Sequence, residues 1–163
     1  MNWLAQAAGA MGDESARRQK IMTLGELRAA LQMLPLSTPV TVNGQPPASL
    51  ASYRGMYERL AIGAKRHRDD YETRVNRYTA HPDYDPDPAV ADVTIAEPVT
   101  AEEMVKALDL ADGLDFGGYK GGVFEMHAGT WMHVAESGDC GLAVYGVRLD
   151  GGTAVIVAGE YEW

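Results

Sequence analysis

The sequence predicts an α+β fold: an antiparallel sheet of four to six strands with two main helices packed on one face. Three observations carry that expectation. Two segments open with Thr-x-x-Glu and continue with apolar residues at helical spacing. From Val123 onward, short apolar runs alternate with glycine-containing turns. The last two of these runs are joined by Asp150-Gly151-Gly152, a hairpin signal that makes them antiparallel neighbours.

Taken in order, residues 1–21 read as an N-terminal extension. Trp3, Leu4, Ala7, Ala8 and Met11 form a weakly amphipathic segment that ends in the charged run Asp13–Lys20. A short docking helix or a frayed end both fit this pattern. Residues 22–163 form a single domain with a loop insertion at about 65–98. Thr23-Leu24-Gly25-Glu26 is a capping box, and Leu24, Leu27, Leu31 and Leu34 then share one helical face until Pro35. Val40-Thr41-Val42 reads as a strand, Asn43-Gly44 as a turn, and Gln45-Pro46-Pro47 as a loop. Leu60, Ile62 and Ala64 alternate as in a half-buried strand.

The insertion holds a basic cluster, Lys65-Arg66-His67-Arg68, and the turn-rich run His81–Pro88. Asp83, Asp85 and Asp87 start like a calcium loop but lack its glycine and distal glutamate, so an acidic solvated loop is expected. A second capping box at Thr100–Glu103 opens a helix with Met104, Val105, Leu108 and Ala111 on one face, closed by Asp112-Gly113. Strands are expected over Val123–Met126, Thr130–Ala135, Leu142–Leu149 and Thr153–Gly159, with Glu136–Gly141 as a loop.

Composition narrows the function classes. The 163 residues suit one domain, and 46% hydrophobic with 23% charged residues is ordinary for a globular chain. A single cysteine, Cys140, excludes an internal disulfide framework and a cysteine-built zinc site. No apolar run approaches the ~20 residues a bilayer-spanning helix needs, so no membrane partner is expected. The net charge of −9 is unevenly spread. Residues 1–81 carry 11 Lys/Arg against 7 Asp/Glu, and residues 82–163 carry 3 against 16. That acidity disfavours nucleic acid and makes Lys120, one of three cations in the second half, conspicuous.

Two short motifs concentrate the candidate chemistry. Ser52-Tyr53-Arg54-Gly55-Met56-Tyr57 and Gly118-Tyr119-Lys120-Gly121-Gly122 each set a ring, a cation and glycine in sequence. The expected ligand-binding residues are Tyr53, Arg54, Gly55, Tyr57, Tyr119, Lys120, Gly121 and Gly122. Arg54 and Lys120 would hold a phosphate or carboxylate while the rings stack on a flat group. The spacing matches neither a Walker loop nor a dinucleotide fingerprint. The plainer alternative is two structural turns whose rings pack on the sheet. His127 and His133 flank a short turn without a fixed third ligand, so no metal is expected. Cys140 has no local nucleophile signature, no carboxylate pair stands out, and no cofactor is implied.

These two motifs, with Leu60-Ala61, Phe124, Met126, Thr130-Trp131 and Val134-Ala135, resemble a family of small proteins encoded by bacteriophages of actinobacteria. The resemblance covers about 22–64 and 99–146 and implies a phage or prophage origin, hence the host cytoplasm. It carries no activity. The expected function is an accessory protein that binds a phosphorylated or nucleotide-like small molecule without turnover, in a counter-defence role that sequesters a nucleotide signal. The alternative is a protein–protein interaction module with a host or phage (virion) partner and no small-molecule ligand. An oligomer is compatible with either.

Overall fold

The computed structural model describes residues 2–3, 20–51, 59–64, 92–117, 123–136 and 139–160. Among these residues, ten strands and two helices follow in the order β1 (Asn2–Trp3), α1 (Leu24–Gln32), β2 (Val40–Val42), β3 (Pro47–Ala51), β4 (Arg59–Ala64), β5 (Asp92–Thr94), α2 (Ala101–Ala111), β6 (Asp115–Gly117), β7 (Val123–Glu125), β8 (Trp131–Glu136), β9 (Asp139–Asp150) and β10 (Thr153–Glu160).

The large sheet runs β2-β10-β9-β8-β4-β3-β5, with β1 paired to β9 beside this path, while β6 and β7 form a separate hairpin. The α+β expectation holds at the level of two helices and a sheet. Its detail needs correcting. The path has seven strands, not four to six, and it is mixed: β10 pairs with β2 and β4 with β8 in parallel. Parallel neighbours need long connections. Here the route from β4 to β8 contains β5, α2 and the β6–β7 hairpin, and β2 and β10 lie at opposite ends of the domain sequence.

Both helices start as their sequences dictate. The Thr23 hydroxyl accepts from the Glu26 N–H at 3.2 Å, and the Thr23 N–H donates to Glu26 Oε1 at 3.1 Å. This reciprocal pair satisfies two donors that the first turn leaves orphaned. A side chain at Gly25 would press on Ala128, whose Cβ would lie 3.1 Å away, so glycine lets α1 begin against the 127–130 turn. The Thr100 hydroxyl accepts from the Glu103 N–H at 3.4 Å.

The two helices lie against each other and against one face of the sheet. Leu24, Leu27, Leu31 and Leu34 from α1 and its end, and Met104, Leu108 and Ala111 from α2, join Leu50, Leu60, Ile62, Met132, Val134, Val144 and Val147 in one core. Burying each of the larger side chains contributes roughly 1.5–3 kcal/mol. Arg28 Nη1 ties the layer together, donating to Asp112 Oδ2 at 2.9 Å and Asp109 Oδ1 at 3.1 Å.

Several elements depart from the sequence expectation. Pro47–Ala51 and Asp92–Thr94 are strands β3 and β5, and β3 begins inside what reads as a proline loop. Pro47 stands at the first position of its strand, where its missing N–H is tolerated. Asn2–Trp3 is a strand rather than part of a helix. β9 begins at Asp139, well inside the expected Glu136–Gly141 loop. Ile62 and Ala61 are both fully buried, so β4 is a central strand covered on two faces, not a half-buried one. The Asp83–Asp87 run and the Lys65–Arg68 cluster lie outside the described residues.

Candidate functional site

All eight expected ligand-binding residues lie outside the described residues: Tyr53, Arg54, Gly55 and Tyr57 within 52–58, and Tyr119, Lys120, Gly121 and Gly122 within 118–122. The strands that flank them are described. Residues 52–58 connect β3 to β4, whose antiparallel register sets Ala51 opposite Ala61. Residues 118–122 connect β6 to β7, with Gly117 opposite Val123 and Phe116 opposite Phe124. Phe116 is fully buried in the main core and anchors this hairpin.

The β3–β4 connection leaves the sheet at the end where β4 and β8 both begin, since Arg59 stands opposite Trp131 in the parallel register. The base of the β6–β7 hairpin, where Asp115 stands opposite Glu125, adjoins the same end through the 127–130 turn. There Met126 N–H donates to Leu114 O at 2.8 Å, and Thr130 N–H donates to His127 O at 3.0 Å.

At this end the Arg59 guanidinium lies 5.6 Å from the centre of the Trp131 ring, a cation–π distance. Trp131 is 43% exposed, one of few large apolar side chains left open to solvent among the described residues. Neither residue stands out in the sequence as a ligand contact. A signal was there, however: Arg59 follows the Tyr53-Arg54 motif within a few residues, and Trp131 sits just after a turn.

Strand alternation sends Leu60, Ile62, Met132 and Val134 to the helix side, so Arg59, Ala61 and Gly63 share the opposite face with Trp131, His133 and Ala135. Ala61 stands opposite His133, and Gly63 opposite Ala135. Behind the Arg59–Trp131 pair, this face carries small residues and one imidazole, all buried, with Ala51 packing against Ala61 and Ala135. His133 is fully buried. Burial pushes its pKa down from 6.5 to about 4, the Arg59 charge pushes the same way, and a backbone hydrogen bond at Trp131 works against both. The ring is thus neutral at physiological pH, and Arg59 brings the positive charge.

The two histidines do different things. His127 is exposed, and its Nδ1 accepts from the Gly129 N–H at 3.0 Å, which fixes its own turn. Among the described residues, no group of three or more His, Cys, Asp or Glu side chains is placed to hold a metal. Cys140 falls in β9 rather than in a loop.

A concavity of about 490 Å³ lies at the edge of the sheet, lined by Val40, Thr41, Pro46, Glu97, Pro98 and Val99. Among the described residues its lining holds no aromatic or cationic side chain. No helix among the described residues is long and apolar enough to cross a membrane. No protein-family model, no curated protein and no solved structure matches the chain.

Proposed function

We propose that the protein is a phage accessory protein that binds a phosphorylated or nucleotide-like small molecule without turning it over, at the sheet end where β4 and β8 begin. The observation that carries this reading is the Arg59–Trp131 pair, a guanidinium 5.6 Å from a ring that remains 43% exposed. It adds a third aromatic–cation combination, in a described part of the chain, at the end from which the Tyr53-Arg54 connection departs.

The chemistry is consistent. A base or other flat group stacking on an indole gains roughly 1–3 kcal/mol, and a guanidinium adds a charge-assisted bond to phosphate oxygens. The net charge of −9 repels polyanions at long range, so a ligand with one or two phosphates fits better than a long phosphate chain or a nucleic acid. In this reading the ligand is held rather than converted, since the sequence singles out no nucleophile signature or carboxylate pair. A sequestering role in counter-defence is part of the same proposal and rests on the resemblance to phage proteins, not on the site's geometry.

Thermal unfolding measured with a panel of nucleoside mono-, di- and cyclic phosphates tests the reading. A ligand that binds only the folded state raises Tm by mass action. Arg54→Ala, Lys120→Ala and Arg59→Ala should each abolish the rise while the apo protein keeps its own transition. A flat response across the panel removes the basis of the proposal.

The second reading, an interaction module, is favoured by Met33 and Leu36, which are 75% and 63% exposed just past α1. It requires co-purification of a host or virion protein that Met33→Glu abolishes.

A further inference from the structure

β9 is the longest strand, and its two edges are covered very differently. One edge is paired with β10 over nearly its whole length, from Leu142 to Asp150. Along the other edge, β8 takes the stretch from Asp139 to Ala143, and the Met22 N–H donates to Val144 O at 2.7 Å. Beyond that point, the described residues supply only β1, with Trp3 opposite Arg148 and Asn2 opposite Leu149.

A two-residue strand is a weak cover. Ordering a residue costs about as much free energy as one backbone hydrogen bond returns, so β1 adds little net stability. An edge with unsatisfied N–H and C=O groups is a template for another strand. Among the described residues, the Arg148 Nε is buried with no hydrogen-bond partner, which leaves one donor unsatisfied on the strand that carries this edge. Val147 and Leu149, on either side of it, face the main core.

We infer that the outer edge of β9 from Gly146 to Asp150 is a strand-addition site, which β1 covers in cis and which an extended peptide can take over. The partner it fits runs antiparallel to β9, offers apolar residues opposite Val147 and Leu149, and places a carboxylate opposite Arg148. Such a segment pairs with five residues where β1 pairs with two, and its carboxylate offers the Arg148 Nε an acceptor. Backbone bonds supply the affinity, and alternate side chains supply the selectivity. This surface is independent of the proposed ligand site, because Arg148 pairs with β10 and β1, whereas Arg59 and Trp131 lie on β4 and β8.

The test uses the full chain carrying Trp3→Pro, which removes a backbone donor from β1. Two fluorescein-labelled pentapeptides, Thr-Val-Glu-Val-Thr and its counterpart with lysine at the centre, are titrated and followed by anisotropy. The glutamate peptide should bind Trp3→Pro about tenfold more tightly than the lysine peptide, as a charge-assisted bond implies. Wild type should bind it more weakly than Trp3→Pro, because β1 must first leave. Arg148→Gln in the Trp3→Pro background should erase the preference for glutamate. Equal binding of the two peptides, or no binding of either, overturns the proposal. So does loss of the far-ultraviolet sheet signal in Trp3→Pro, since β1 would then be an integral strand and not a displaceable cover.

Discussion

The Tyr145 hydroxyl donates to the Glu160 backbone carbonyl at 2.8 Å, and this bond clasps β10 to β9 beside a bulge. Val157 is opposite Gly146 while Ala158 is opposite Val144, so Tyr145 is the extra residue. The bulge has a clear consequence for packing. Leu142 and Val144 face the main core, and so do Val147 and Leu149, although the spacing from 144 to 147 is odd. Without one extra residue, half of β9 would turn its apolar side chains away from the helices.

Tyr145→Phe should therefore cost about 1 kcal/mol in urea unfolding, the value of one partly buried hydrogen bond. Deleting Tyr145 should leave a folded protein, because the strand then alternates without interruption. Deleting Val144 should not, because alternation then turns the larger Tyr145 ring into the core position that Val144 held. Circular dichroism and denaturant midpoints of the two deletions separate these outcomes.

The same strand shows what the sequence made legible. Apolar residues at 142, 144, 147 and 149 mark one strand, and the 2-3-2 spacing around Tyr145-Gly146 already encodes the bulge. Helix starts were readable because Thr23 and Glu26 act within one turn. The Asp150-Gly151-Gly152 hairpin was readable for a similar reason: Gly151 and Gly152 have φ of 58° and 87°, which favours glycine. β3 and β5 were hidden because Pro47–Ala51 and Asp92–Thr94 are short and weakly alternating, and pairing rather than propensity makes them strands. The parallel β4–β8 pairing is a long-range choice that no local pattern contains. Of the candidate site, Tyr53-Arg54 and Tyr119-Lys120 drew attention by composition. Arg59 and Trp131 are paired only by the register of two strands distant in sequence.

Arg28 joins the helices, and its role is measurable. Its guanidinium is held more firmly charged by the Asp112 hydrogen bond, partly opposed by burial, and further by Asp109. The Arg28 side chain is 21% exposed, against 33% for Asp112 and 57% for Asp109, so the Asp112 bond should matter more. Arg28→Met keeps the aliphatic stem and removes the charge, and should lower stability by about 1 kcal/mol. Asp112→Asn should reproduce most of that loss and Asp109→Asn little of it. A double-mutant cycle of Arg28→Met with Asp112→Asn checks the assignment through its coupling energy.

The buried His133 sets a pH window. Its folded pKa of about 4 lies below its ordinary value of 6.5, so between these values the unfolded chain binds more protons than the folded one. Stability is then fully present above about 6.5 and falls as pH drops toward 4, by at most about 3 kcal/mol. Urea midpoints measured from pH 7 to 4 should show this fall in wild type and a much flatter profile in His133→Leu. Glu26 acts in a different window. Burial would raise its pKa, but hydrogen bonds from Lys20 and Thr23 outweigh it and hold the carboxyl below its usual 4.5. Its contribution is present above 4.5 and is lost only as pH falls further, so the two effects are distinguishable.

Trp131 separates binding from folding. At 43% exposure it adds less to the core than its neighbours Met132 and Val134, which are buried to within 1%. Trp131→Ala should thus lower stability by only about 1–2 kcal/mol, from partial loss of apolar contact and of the Arg59 cation–π pair. If the proposed ligand stacks on this ring, the same substitution should weaken binding by about tenfold or more, as loss of 1–3 kcal/mol of stacking implies. Trp131→Phe keeps a ring and should recover part of the affinity, whereas Trp131→Leu keeps apolar volume and should not. Isothermal titration with the nucleotide that gives the largest Tm shift measures this order. Equal affinity in the Phe, Leu and Ala variants would mean that the indole is a surface residue with no part in recognition.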